Sequence, residues 1–255
     1  MRKAIRLALV YLVIQLALAL LTNLVATHFA PHVPGGAQQL YNWLTTPTLL
    51  LSIVLMSLYL WKKGYLRNNG RAYAPTTAGF LAWTVIIGLS TIVLVEFLMT
   101  LLPPIPNLME SGFEVIQSNA VGILALVLLG PILEELLFRR AVMEEMLTQY
   151  KPAVVIVLQA LLFALIHLNP AQMVGAALVG AVLGWIYYRT RSVIPCIVLH
   201  VLNNSISVYF KLHYPQADSL FDLTTRKIYW VLIAAVFFLA ALQRIQSYSP
   251  SKTNN

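Results

Sequence analysis

The stretch AVGILALVLLGPILEELLFRRAVMEEML, Ala120–Leu147, decides the fold. It opens with an unbroken apolar run, meets Pro131, and then sets Glu134, Glu135, Arg139 and Arg140 into what otherwise reads as hydrocarbon. A run of about 20 apolar residues is the length of a helix that crosses a bilayer. A charge at the centre of such a span costs about 2.5–3.5 kcal/mol on insertion scales, so these side chains should face protein or water and not lipid.

The rest of the chain is built from the same material. Of its 255 residues, 59% are apolar and 10% charged, whereas soluble domains carry about 25% charged residues. A soluble enzyme, a disordered regulator and a secreted disulfide scaffold are excluded. Apolar runs bounded by Pro, Gly, Asn or charge fall at 4–27, 41–61, 78–102, 120–147, 153–168, 172–188, 193–210 and 228–243. Several are apolar on every face, as lipid-embedded helices are, and none alternates as a membrane barrel strand does. The fold class is therefore all-α: a polytopic membrane helix bundle of about eight transmembrane helices, one membrane domain over residues 1–255. The first run is too long for a signal-peptide core and reads as an uncleaved helix.

The net charge of +8 resembles a nucleic-acid signal, but the basic residues sit in small groups at the ends of spans, so no nucleic acid is expected. Arg2, Lys3, Arg6, Lys62, Lys63, Arg67, Arg71, Arg139, Arg140, Lys151, Arg189, Arg191, Arg244 and Lys252 fall on one side if both termini are cytoplasmic. Only Lys211, Arg226 and Lys227 fall on the other. That asymmetry is the positive-inside bias. It predicts an integral, multi-pass membrane protein, in the cell membrane if the host is prokaryotic.

The candidate site comes from polar residues inside apolar runs. Glu135 and Arg139 are spaced i,i+4 with the acid first, the favourable order for an ion pair. Neighbouring helix residues point about 100° apart, so Glu134 is left as the free carboxylate. His167 closes the fifth run. The fourth and fifth runs should form a hairpin turning near Tyr150-Lys151-Pro152, with Pro152 suited to a first helical turn. Glu134 and His167 lie about equally far from that turn, roughly 25 Å along each helix, and can meet. In the seventh run His200 and Asn204 share a face, while Asn203 turns away. Each residue alone has a packing explanation, since polar side chains commonly bond helix to helix in membranes; their concentration in three spans points to a shared site. Cys196, four residues before His200, leaves a Cys–His nucleophile open. Glu96 in the third span has no evident partner. His28, His32 and His213 lie at span ends or in loops.

The three segments resemble the CPBP family, the CaaX-type proteases and bacteriocin-processing or Abi proteins. The motifs that carry the resemblance are Glu134-Glu135-Leu136-Leu137-Phe138-Arg139, Phe163-Ala164-Leu165-Ile166-His167 and His200-Val201-Leu202-Asn203-Asn204. They cover a catalytic core of about 120–210. The resemblance implies an intramembrane endopeptidase acting on a membrane-presented peptide or protein, of the prenylated CaaX type in some relatives. It implies that Glu134 activates the attacking water with His167, that His200 and Asn204 stabilise the oxyanion, and that Glu135, Arg139 and Phe163 support them. Amide hydrolysis needs these parts: an activated water, and donors aimed at the developing negative oxygen.

No obligatory cofactor is expected. A zinc ion, if used, would draw on Glu134, His167 and His200, a Glu-plus-two-His set that leaves room for water. Two other classes stay open. A non-proteolytic scaffold or immunity-type protein would keep the motifs for packing, and a proton-coupled transporter would use Glu and His as a relay. No repeat-related halves or matched broken helices support the transporter.

Overall fold

A computed structural model describes residues 1–67, 72–74 and 76–247. Arg71 and Lys252, two of the charges assigned to the inner side, lie outside the described residues. Nine helices of eight or more residues follow one another among those described: α1 Arg2–Phe29, α2 Gly36–Lys62, α3 Ala78–Thr100, α4 Glu110–Gln117, α5 Ala120–Leu147, α6 Pro152–Leu165, α7 Pro170–Thr190, α8 Ile194–His213 and α9 Lys227–Gln246. All eight apolar runs are helical, and α4 is the helix the apolar pattern did not reveal. The chain is an integral, multi-pass membrane protein with an all-α helical bundle.

The count of about eight spans divides by length. Six helices are long and apolar enough to cross a membrane, namely α1, α2, α3, α5, α7 and α9. The α6 helix has only 14 residues, and α8 has 20 but is diluted by His200, Asn203 and Asn204. A proline sets the start of α6: Lys151 before it is extended, and Pro152 opens the helix where its missing N–H costs nothing.

Helices α1 with α2, α6 with α7, and α3 with α9 form the most extensive pairs. The lipid-facing sides of α1 and α9 expose Leu9, Val13, Leu20, Leu232, Val236 and Leu239, as hydrocarbon favours. The inward side of α1 meets α2 and the Leu136–Met143 turn of α5, that of α9 meets α3, and the buried charges lie on α5 and α8.

Along α5 the helix changes gauge twice. Ala125–Leu129 and Leu136–Met143 are π-helical turns on either side of Gly130–Glu135. Such wide turns are uncommon and concentrate at functional sites. The first has a local cause. Gly130 donates its N–H to Ala125, five residues back, and Pro131 has no N–H to give. The Leu126 carbonyl is thereby left without a helical donor, and the Asn204 amide of α8 supplies one at 3.0 Å.

Candidate active site

Glu135 lies at the centre of the polar network and is wholly buried. One carboxylate oxygen is 3.0 Å from Arg139 Nε, the i,i+4 pair expected from the sequence. The other is 2.7 Å from His200 Nδ1, a partner on another helix that i,i+4 spacing does not reveal. Arg139 is also fully buried; its Nη2 donates to the Gly180 carbonyl at 3.2 Å, and the guanidinium lies 4.9 Å from the Phe163 ring centroid. Gln159 of α6 donates to the same carbonyl at 2.7 Å. The Gly180-x-x-x-Gly184 pair permits this crowding. A Cβ at Gly180 would sit 3.0 Å from Phe163 Cδ1, and one at Gly184 would sit 2.3 Å from Gln159 Nε2. Small residues at that spacing let membrane helices approach closely.

Glu134 faces differently. Its side chain keeps 16% of its accessible surface while that of Glu135 keeps none. Its Oε2 is 3.7 Å from His200 Nε2. His200 is therefore held between two carboxylates from adjacent residues, with Nδ1 on Glu135 and Nε2 on Glu134. A carboxylate on one imidazole nitrogen fixes the ring's orientation and tautomer, leaving the other nitrogen for chemistry.

His167 is placed otherwise than the equal-depth hairpin predicts. Among the described residues, the imidazole within 4.0 Å of Glu134 belongs to His200 and not to His167. The reason is a helix break. The α6 helix ends at Leu165, Leu168 takes a left-handed backbone with φ 51°, and Asn169 is extended before Pro170. His167 thus sits in a turn and not on the end of a continuous helix. Its ring folds back so that Nδ1 is 2.7 Å from the Phe163 carbonyl. A carbonyl only accepts, so Nδ1 is the donor, and in the neutral ring Nε2 has the lone pair. The two imidazoles flank one phenyl ring: Phe163 meets His167 edge-on at 5.0 Å and His200 edge-on at 5.6 Å. Phe163 is the spacer between them.

The turn is tied down from outside. Asn169, fully buried, accepts from the Leu108 N–H at 3.0 Å and donates to Asn107 at 2.9 Å. Its position before Pro170 marked a turn, but nothing in the sequence gave its partners 61 and 62 residues away.

Asn204 lies one helical turn beyond His200 on α8, with its amide on the Leu126 carbonyl and its Oδ1 accepting from Asn203 at 3.2 Å. Cys196 is buried, and its thiol points to the Leu183 carbonyl at 3.4 Å. That direction gives no support to the Cys–His nucleophile. Glu96 finds its partner in Ser219, whose hydroxyl donates at 3.2 Å; it anchors the loop around Leu220–Leu223 to the end of α3. Among the described residues, no group of three or more His, Cys, Asp and Glu side chains is arranged to hold a metal ion, so Glu134, His167 and His200 do not form a ready zinc set.

The molecule is thus a polytopic membrane helix bundle with a Glu134–His200–Glu135–Arg139 chain running between α5 and α8. Residues 116–206 match the family model described as "Type II CAAX prenyl endopeptidase Rce1-like". The matched segment contains all three motifs and is similar to that family. No curated protein and no solved structure matches the chain.

Proposed function

We propose that the protein is an intramembrane endopeptidase whose attacking water is activated by Glu134, with His200 as the imidazole beside it. The observation that carries this reading is the division between two adjacent carboxylates. Glu135 is sealed, ion-paired to Arg139 and bonded to His200, while Glu134 is partly open and 3.7 Å from the other nitrogen of the same ring.

In the proposed reaction Glu134 takes a proton from water and the oxygen adds to the scissile carbonyl carbon. The resulting oxyanion needs a donor, and the amide of Asn204 has a second N–H besides the one given to Leu126. As the carbon–nitrogen bond breaks, Glu134 returns the proton to the leaving amine. His200 responds to the charge on Glu134, and Glu135 stabilises whatever positive charge the ring takes up, as the orienting acid of a catalytic triad does. His167, across Phe163, presents a lone pair on Nε2 and supplies a second proton-accepting group. The substrate is a membrane-presented peptide or protein, and the family match makes a prenylated CaaX tail the first one to try.

The test is a farnesylated peptide ending in a CaaX sequence, presented in lipid vesicles to the purified protein. Release of a C-terminal fragment by the wild type, and none by Glu134→Gln at equal folded concentration, is the expected result. Equal release by the two proteins overturns the assignment.

A further inference from the structure

The turn that carries His167 lies where lipid allows no loose backbone. Exposed Lys151 marks the start of α6 at the membrane surface, and the helix has 14 residues, a length of about 21 Å. The hydrocarbon core is about 30 Å thick, so residues 166–169 turn inside it. Irregular backbone at that depth is stable only against protein partners. Asn169 supplies the link. It stands directly before α7, a position where an asparagine ordinarily caps its own helix, yet its side chain makes no cap bond. Its Oδ1 accepts from the Leu108 N–H at 3.0 Å and its Nδ2 donates to Asn107 Oδ1 at 2.9 Å instead, with the whole side chain buried.

The partner segment is itself built to hold still. Pro103, Pro104 and Pro106 fix the backbone angle φ on the approach to Asn107. Beyond it, Glu110 pairs with Lys211 near the end of α8 at 2.9 Å, and Asn119 donates to Thr46 of α2 at 3.2 Å. Asn107 and Glu110 precede the matched segment 116–206.

We propose that Asn107 is a positioning residue for His167: through Asn169 it holds the 166–169 turn, and with it the imidazole, in place beside Phe163. The ring's own bond, from Nδ1 to the Phe163 carbonyl, is made to the helix it has just left and does not fix the turn against the rest of the bundle. Asn169, two residues on, does. Leu168 between them is held at φ 51°, a left-handed backbone that a residue with a Cβ adopts only at a cost. Released from Asn107, the turn relaxes and the imidazole moves with it.

As a role in turnover, this rests on the peptidase reading and on His167 as a proton-accepting group; as a clamp, it does not. Two readouts separate the two. Nitrogen NMR spectra of histidine-labelled protein in bilayers, wild type minus His167→Gln, isolate the ring nitrogens of His167. The same difference in an Asn107→Leu background, which removes the acceptor at similar size, is expected to show those signals displaced or doubled. Signals at the wild-type positions overturn the clamp. On the farnesylated CaaX peptide in vesicles, Asn107→Leu is expected to lower kcat about tenfold, the equivalent of one buried hydrogen bond, with KM unchanged. Asn107→Asp, which still accepts from Asn169, is expected to recover most of that loss. An unchanged kcat in Asn107→Leu, or the same loss in Asn107→Asp, overturns the positioning role. If Glu134→Gln itself cleaves like the wild type, the peptidase reading fails, and the nitrogen signals still decide the clamp.

Discussion

The outer helices α1 and α9 and the central helices α5 and α8 meet opposite demands. On α9, Leu232, Val236, Phe237 and Leu239 are exposed, and Ala234, Ala241 and Ile245 are buried. On α5 and α8 the buried set includes Glu135, Arg139 and His200. A soluble protein would be arranged the other way round. In a bilayer the apolar surface has no reason to hide, whereas each ionised group needs a partner within the protein. The contrast teaches that burial and hydrophobicity are separate properties here, and that a buried charge in this molecule marks either a structural pair or a reactive group. In the proposed function Glu135 is the structural pair and the partly open Glu134 beside it the reactive group.

The comparison can be broken or sharpened by substitution. The largest effect is expected for Glu134→Gln, which should lower cleavage by about 10²–10⁴-fold without lowering the melting temperature; Leu232→Ala on the lipid face of α9 should leave cleavage unchanged. Next comes Arg139→Met. It leaves Glu135 buried without its cation, and breaking a buried pair from one side costs about 3–5 kcal/mol, read as a large fall in melting temperature or loss of folded protein. Asn204→Ala strands the Leu126 carbonyl at a cost of about 1–3 kcal/mol, visible by thermal melting, and should also slow turnover if the amide serves the oxyanion. Leu168→Gly tests the smallest term. The left-handed backbone at Leu168 costs a residue with a Cβ about 1–2 kcal/mol, and its side chain is 40% exposed. The glycine variant should melt slightly higher, and a marked loss would mean that the Leu168 side chain matters for packing.

Much of the bundle was legible because lipid imposes its own grammar. The apolar runs, their bounding prolines and the Glu135–Arg139 spacing each follow from one local rule, and each stands in the structure. The helix break at 166–169 was half legible: Asn169-Pro170 signals a turn, but an unbroken count of 1.5 Å per residue carried His167 past it. The double use of Glu135 was hidden because a helical spacing rule finds partners along one helix and His200 lies 65 residues on. Glu96 shows the reverse case. Its oddity was plain in the sequence, and only the fold supplied Ser219.

The most direct test of the central claim compares peptide ends across the membrane proteome of cells carrying either the wild-type protein or Glu134→Gln, at matched membrane abundance and matched melting temperature. The account predicts a set of peptide ends present with the wild type and missing with the variant. Identical ends in the two samples, together with full wild-type release of the vesicle-borne farnesylated peptide by Glu134→Gln, contradict it.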